Sequence, residues 1–321
     1  MILAVILVAL IVTFIIIKNA DNLDSDPVES TGDPSVEAGL NDPDEERPEW
    51  QPNIENASAF KPKTDSSTVT LAADEIDSKH AIMVDAATGK VVCEYGADAR
   101  IYPASMTKLM TVIVACELID DMNETFTFSK ELLYTIEAGS SNAYFKAGNP
   151  VPMVDLIYGA ILPSGADACL GLANALAGSE EAFVDLMNKK AKELGCTGTN
   201  FTNAIGLHND NHYSTARDIA TIMAYATENP FLKKVITATS YKTVAPVDRV
   251  DGTLYSSWQA GSSTKAKIFG AKSGYTPEAG CCLASISKTN DGREYIIVTA
   301  EADAKAKTFS DASRLCDKYI K

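Results

Sequence analysis

Apolar and polar residues divide the chain into three regions. Residues 2–17 are apolar except for Thr13, residues 20–67 are mostly polar and rich in proline, and apolar and polar runs alternate from about residue 70 onwards. A helix over the first run would be about 24 Å long at ~1.5 Å per residue, slightly short of a bilayer core. The pattern predicts a hydrophobic segment over residues 1–18, a linker over 19–68 and one globular domain over 69–321.

The globular region reads as strands, then a block of helices, then strands and a final helix. Predicted strands cover residues 81–84, 90–95, 272–276, 281–288 and 294–300. Predicted helices cover residues 105–119, 151–162, 167–176, 180–194, 215–228 and 309–320. The first helix is almost wholly apolar after Lys108, so we expect it to be buried and central. The predicted class is α/β (α+β), with a mainly antiparallel sheet flanked by helices and a helical subdomain.

Negative charge is concentrated in the linker. The chain has a net charge of −15, and residues 21–50 hold eleven acidic residues against Arg47 alone, which gives −10. The low hydrophobicity, charge and prolines predict a disordered, extended tether, while the rest of the chain is close to neutral. The acidity excludes a global basic footprint for nucleic acid.

The N-terminal apolar run has two interpretations, and both send the domain across a membrane. A cleaved signal peptide usually has a basic residue before the apolar run and a small-residue cleavage site after it. Here no Lys or Arg precedes the run, and Lys18 disturbs the site before Ala20. We therefore expect an uncleaved signal anchor that holds the domain at the extracytoplasmic face of a membrane, with secretion after cleavage as the alternative.

The cysteines and histidines do not predict a metal centre or any cofactor. The seven cysteines lack C-x-x-C spacing, so we interpret them as buried small hydrophobic residues. His208 and His212 have the i, i+4 spacing of a zinc helix, but the Asn and Asp residues between them indicate a loop.

A serine and a lysine lie three positions apart where the apolar helix begins. Because positions i and i+3 share a helix face, the Ser105 hydroxyl and the Lys108 amine can meet. A neutral lysine can remove the serine proton, and entry into a buried run lowers the lysine pKa. An ordinary capping serine beside a solvated lysine is the alternative.

Two further motifs follow this pair in order. Ser164, followed by Gly and Ala, lies in a turn between two predicted helices, and Lys272, Ser273 and Gly274 open a predicted strand. The order S-x-x-K, a serine motif and K-[ST]-G is typical of penicillin-binding proteins and class A β-lactamases. Each motif alone is common, whereas the three in order indicate a serine acyl-transfer site.

The chain resembles the low-molecular-weight penicillin-binding proteins that act as serine-type D-alanyl-D-alanine carboxypeptidases. The similarity spans residues 78–321 and is carried by residues 102–111, 201–218 and 270–280. It implies a serine β-lactamase/transpeptidase-like fold and removal of the terminal D-alanine from a peptidoglycan stem peptide. It also implies β-lactam antibiotics as covalent inhibitors and no cofactor.

The resemblance implies a role for each motif residue. Ser105 would be the acylated nucleophile, Lys108 its general base and Ser164 a proton relay to the leaving D-alanine. The substrate-binding residues would be Lys272, Ser273, Gly274 and Tyr275. The charge of Lys272 would keep Lys108 neutral, and Ser273 would bind the terminal carboxylate of the substrate. The N–H groups of the tyrosine and Ser105 would form the oxyanion hole.

Three features depart from the family pattern. Ala166 stands where the second motif usually has Asn, so a substrate-contacting amide is missing, and a water or Asn142 could replace it. Ser273 replaces the commoner Thr and keeps the hydroxyl. Many relatives carry a C-terminal β-rich domain and an amphipathic anchor, whereas this sequence stops after the closing helix, so we expect residues 1–18 to provide the anchor.

Two competing functions share the same motifs. A class A β-lactamase also needs a carboxylate in a loop about 35 residues after the second motif, and residues 197–203 contain no acid. A non-catalytic or slow penicillin-binding sensor, impaired at Ala166, is the other alternative. The intact Ser105, Lys108 and Lys272 favour an enzyme over a sensor.

Overall fold

The computed structural model describes residues 60–258, 261 and 263–321. The predicted anchor over residues 1–18 and most of the predicted linker lie outside the described residues. Within the described ranges, no helix is both long and apolar enough to cross a membrane.

A six-stranded sheet is built from both ends of the domain. The strands of the described residues are Val69–Thr70 (β1), His80–Asp85 (β2), Val91–Tyr95 (β3), Arg100–Ile101 (β4), Thr125–Thr127 (β5), Pro150–Pro152 (β6), Ser214–Thr215 (β7), Ser240–Lys242 (β8), Thr253–Tyr255 (β9), Ala266–Thr276 (β10), Gly280–Thr289 (β11) and Glu294–Ala302 (β12). The main sheet has the order β1-β3-β2-β12-β11-β10, and only β1 and β3 pair in parallel. The predicted mainly antiparallel sheet is confirmed.

The helices form a block between the two groups of strands. They are Lys108–Leu118 (α1), Lys130–Tyr134 (α2), Met153–Ile161 (α3), Ala166–Ala177 (α4), Glu180–Glu193 (α5), Ala216–Glu228 (α6), Pro230–Thr237 (α7) and Lys305–Tyr319 (α8). Short 3-10 turns cover Ala104–Thr107 and Val250–Gly252. Helix α8 begins four residues before its predicted start, and β10 begins six residues before its own.

The sheet is buried on both faces. In β2, Ile82 and Val84 belong to one hydrophobic cluster, whereas Ala81 and Met83 belong to another. Successive side chains of a strand point to opposite faces, so the alternation places one cluster on each side of the sheet. Helix α6 packs on one face and α8 on the other.

Helix α1 is buried on every side, as the sequence predicts. Its residues from Lys108 to Cys116 are all buried, and it packs against α3, α4, α5 and α6. Burial on all sides explains why the run lacks a polar face. The only charged side chain in that buried stretch is Lys108, at the first position of the helix.

The folded domain begins before the predicted boundary between residues 68 and 69. Lys63 pairs with Lys90 in a parallel bridge, and its carbonyl accepts from the Val91 N–H at 2.9 Å. Phe60 packs against the core, and the Thr68 hydroxyl donates to the Val91 carbonyl. Residues 60–68 therefore extend along the first hairpin, despite their polar composition.

Candidate active site

Ser105 and Lys108 lie one helical turn apart, as predicted. Ser105 is in the 3-10 turn that leads into α1, and Lys108 Nζ lies 3.0 Å from Ser105 Oγ. The same amine donates to the Ile205 carbonyl at 2.6 Å, and the lysine is only 2% exposed. Burial lowers the pKa of Lys108, against the opposing effects of Cys169 and Asp167, which favours the neutral amine.

The nucleophile turn is packed tightly by two glycines. A Cβ on Gly274 of β10 would lie 2.8 Å from the Ser105 backbone nitrogen, and a Cβ on Gly206 would lie 2.0 Å from the Ala104 carbonyl oxygen. Ala104 itself has φ +46, in the left-handed region that favours glycine. Close backbone approach explains why the third motif needs glycine at its last position.

Ser164 and Lys272 form a second serine–lysine pair. Lys272 Nζ donates to Ser164 Oγ at 2.9 Å and to the Ser273 carbonyl at 2.8 Å. Ser164 lies in the turn that joins α3 to α4, and its φ of +62 is a strained value for a residue other than glycine. The structure thus pairs the serine of the second motif with the lysine of the third.

The two lysines share one electrostatic environment. Lys272 is fully buried, and burial together with the Lys108 charge lowers its pKa well below the ordinary range. Two buried amines that oppose each other's protonation favour at most one positive charge between them. The sequence interpretation placed that charge on Lys272, but the structure lowers the pKa of both lysines.

Ser273 contacts a residue that no sequence motif indicated. Its hydroxyl oxygen lies 3.4 Å from Ser257 Oγ, and the Ser257 N–H donates to the Leu162 carbonyl at 3.0 Å. Lys305, the first residue of α8, donates from Nζ to the Ser257 carbonyl at 2.6 Å. Ser257 therefore connects the second motif, the third motif and an exposed cation.

Tyr275 is the most exposed residue of the third motif. Its side chain is 64% exposed, and its backbone pairs with Cys281 across β10 and β11. Because Gly274 lies against the Ser105 backbone, the next backbone unit of β10 starts beside the nucleophile turn. This placement fits the predicted oxyanion pair of backbone N–H groups.

The position of Ala166 is closed in the structure. Ala166 is fully buried at the start of α4, and its N–H donates to the Ser141 carbonyl at 2.8 Å. The Asn142 amide donates to the Ser140 carbonyl at 3.3 Å. The Asn142 amide thus bonds to the backbone of its own loop, and it does not take the place of the missing motif amide in this structure.

Asp167, which belongs to none of the three motifs, has a structural role beside the second motif. Its carboxylate accepts from the Ala143, Phe145 and Ala168 N–H groups at 2.8, 3.1 and 3.0 Å. It is 1% exposed, and burial raises its pKa. This carboxylate holds the 143–145 loop against the second motif.

The histidine spacing reflects a loop and not a zinc helix. The Thr202 N–H donates to His212 Nδ1 at 3.1 Å, while Nε2 lies 2.7 Å from Thr107 Oγ1, so both ring nitrogens have protein partners. Among residues 60–258, 261 and 263–321, no group of three or more His, Cys, Asp or Glu side chains could hold a metal ion. All seven cysteines are free and buried, as interpreted from the sequence.

Comparisons with known sequences agree with this geometry. Residues 67–304 match the D-alanyl-D-alanine carboxypeptidase family, peptidase S11. The carboxypeptidase DacF of Bacillus subtilis is 32% identical over 258 residues, which cover 78% of this chain and 63% of DacF. DacC of Escherichia coli is 39% identical over 168 residues, which cover 50% of this chain and 42% of DacC. The chain thus spans less than two thirds of either relative.

Solved structures share the fold. The crystal structure of a Streptomyces DD-transpeptidase superposes with a TM-score of 0.66 at 26% identity, covering 75% of this chain and 95% of that one. Penicillin-binding protein 5 from Haemophilus influenzae gives a TM-score of 0.67 at 25% identity, covering 76% of this chain and 71% of that one. The predicted serine β-lactamase/transpeptidase-like fold is confirmed. With the family match covering about three quarters of its length, the chain belongs to the D-alanyl-D-alanine carboxypeptidase family of low-molecular-weight penicillin-binding proteins.

Proposed function

We propose that the chain is a serine D-alanyl-D-alanine carboxypeptidase that removes the terminal D-alanine from peptidoglycan pentapeptide. The observation that carries the proposal is the 3.0 Å contact between Ser105 Oγ and a buried lysine amine whose pKa is lowered. Family membership and the names of the curated relatives support the same reaction.

Acylation begins with attack of Ser105 Oγ on the carbonyl carbon of the penultimate D-alanine. The neutral amine of Lys108 takes the hydroxyl proton as the new C–O bond forms. The N–H groups of Ser105 and Tyr275 stabilise the resulting oxyanion. The C–N bond then breaks, and the proton passes through Ser164 to the leaving amine, so D-alanine departs neutral overall.

In deacylation, water replaces Ser105 as the nucleophile and Ser105 becomes the leaving group. Lys108 removes a proton from the water, the ester bond to Ser105 breaks, and the serine oxygen recovers its proton. A β-lactam would acylate Ser105 in the same way, but its leaving amine stays tethered within the opened ring. β-Lactams are therefore proposed as covalent inhibitors.

The terminal carboxylate of the substrate is proposed to bind beside Ser273. The Ser273 hydroxyl would donate to it, and the nearby Ser257 hydroxyl offers a second donor. Lys305 lies next to Ser257 and supplies an exposed positive charge. A carboxypeptidase needs such a group because its substrate ends in a carboxylate.

The first experiment is release of D-alanine from a synthetic pentapeptide, run beside labelling with a fluorescent penicillin. Labelling with release supports the enzyme, whereas labelling without release supports a sensor. Ser105→Ala and Lys108→Ala are expected to abolish both signals, and Lys189→Ala, an exposed lysine of α5, is the matched control. Release that survives Ser105→Ala would refute the proposal.

We further propose that residues 1–18 anchor the domain at the extracytoplasmic face, with the acidic linker as a spacer. The support is the sequence pattern of these residues. High-salt and alkaline washes of membranes should then leave the full chain in the pellet. Recovery of a soluble form that starts near Ala20 would show a cleaved signal peptide instead.

A further inference from the structure

One loop is fastened to helix α1 and its leading turn by three buried polar side chains. Thr111 Oγ1 donates to the Ala204 carbonyl at 2.7 Å, and Lys108 Nζ donates to the Ile205 carbonyl at 2.6 Å. Thr107, which directly precedes α1, lies 2.7 Å from His212 Nε2 through its hydroxyl oxygen. Buried polar groups are costly without partners, and each of these three side chains has a partner among residues 204–212.

The Ile205 carbonyl orients the amine of the proposed base. A carbonyl oxygen can only accept a hydrogen bond, so it takes one N–H of Lys108. A neutral amine has one lone pair, which must face Ser105 Oγ at 3.0 Å to remove its proton. The position of the Ile205 carbonyl therefore decides whether the lone pair points at the nucleophile.

The hydrogen bonds of His212 fix its tautomer. A backbone N–H can only donate, so Nδ1 accepts from Thr202 and carries no proton. The proton of the neutral ring is then on Nε2, which donates to Thr107 Oγ1. Burial lowers the pKa of His212 to about 4, and the neighbouring His208 and Lys108 charges act in the same direction.

Asn203 and Glu180 both bind the backbone of the loop that follows Thr202, and the Glu180 carboxylate accepts from the Ala204 N–H at 2.9 Å. Asn203 Oδ1 accepts from the Ile205, Gly206 and Leu207 N–H groups at 3.2, 2.6 and 3.0 Å. Its amide nitrogen donates back to the Leu207 carbonyl at 3.0 Å. A displacement at Thr202 is therefore carried through the turn to the Ile205 carbonyl.

We propose that His212 is a positioning residue for the general base. Its ring joins Thr202, at the start of the loop, to Thr107, the residue before Lys108. This double contact keeps the Ile205 carbonyl against the lysine amine. The inference rests on the proposed function, because it requires Lys108 to act as the base.

Three substitutions separate the two contacts of the ring. His212→Asn keeps an acceptor near Nδ1, His212→Gln keeps a donor near Nε2, and His212→Phe keeps only the bulk. The assays are the second-order rate of acylation by a fluorescent penicillin across acid and neutral pH, and hydrogen exchange of the 205–207 amides. His208→Gln is the matched control, because His208 lies four residues away and packs edge-to-face against Tyr102.

We expect His212→Phe to slow acylation by roughly 10²-fold, the loss typical of a displaced reacting group. The acid limb of the pH profile should move to higher pH, because a displaced loop exposes Lys108 to water and relieves the burial that lowers its pKa. Exchange of the 205–207 amides should speed up. The Asn and Gln variants should fall between Phe and wild type, and each remains informative if the Phe variant does not fold.

An unchanged acylation rate and pH profile in folded His212→Phe would overturn the inference. So would a slower rate that merely follows the folded fraction while the acid limb stays in place. A wild-type chain that is never acylated would refute the proposed function and the inference together. Normal wild-type acylation with unaffected His212 variants would refute the inference alone.

Discussion

Gly274→Ala tests the contact between β10 and the nucleophile turn. The new Cβ would lie 2.8 Å from the Ser105 nitrogen and 3.0 Å from both Ala104 Cβ and the Pro103 carbonyl oxygen. Two of these three atoms are backbone, so no flexible side chain can move aside. To reach an ordinary contact of 3.4 Å, strand and turn must separate by roughly 0.6 Å.

That separation displaces the proposed oxyanion donors relative to each other. A 1 Å misplacement can cost about 10²-fold in rate, so roughly 0.6 Å should cost about tenfold or more. Tenfold corresponds to about 1.4 kcal/mol of activation free energy. The assay is the second-order rate of acylation by a fluorescent penicillin, normalised to the folded fraction.

Gly270→Ala is the control because it lies on the same strand and is similarly crowded. Its Cβ would meet Thr237 Cγ2 at 2.9 Å and the Ile236 carbonyl oxygen at 3.2 Å, away from Ser105. Both variants should lose thermal stability, but only Gly274→Ala should lose acylation per folded molecule. Wild-type acylation by Gly274→Ala would refute the claim that this contact sets the oxyanion geometry.

Three further predictions follow from the site. Acylation should fall as pH drops through the lowered pKa of Lys108, because only the neutral amine removes a proton; a rate that falls only near the ordinary lysine pKa of 10.5 would contradict the burial argument. Ala166→Asn should leave D-alanine release equal or higher while lowering Tm by a few degrees, since overpacking a closed position typically costs about 1–3 kcal/mol; a large loss of release would mean that the site is built around the smaller residue. Lys305→Gln should raise KM about tenfold for a peptide with a free C-terminal carboxylate, with kcat little changed. An equal rise in KM for a C-terminally amidated peptide would show that Lys305 does not bind the carboxylate. Lys307→Gln is the control.

Local patterns were sufficient to predict the main antiparallel sheet, the buried central helix and the contact between Ser105 and Lys108. The i, i+3 spacing of Ser105 and Lys108 at the start of an apolar run depends only on helix geometry. The helix predicted over residues 215–228 ends at Glu228, as α6 does. Pro230 then begins α7, with Asn229 as its cap, because proline is well suited to the first helical position.

Contacts between distant segments were outside the reach of local patterns. Ser257 and Lys305 meet across 48 positions, and Thr107 meets His212 across 105. Neither pair has a spacing that a helix or strand would bring together. The charge on Lys272 was also beyond the sequence, because it depends on how deeply the fold buries both lysines.

The seven buried thiols bear on how this domain survives oxidation. A thiol reacts as its thiolate, and burial raises the pKa of Cys93, Cys169 and Cys282 to about 12. The native fold therefore shields its sulfur atoms kinetically, even outside a reducing cytoplasm. Unfolding would expose an odd number of thiols at once, so mispairing or dimer formation would trap the chain. The rate at which the domain unfolds therefore limits oxidative damage, and the rate of labelling by a thiol-specific dye would measure it directly.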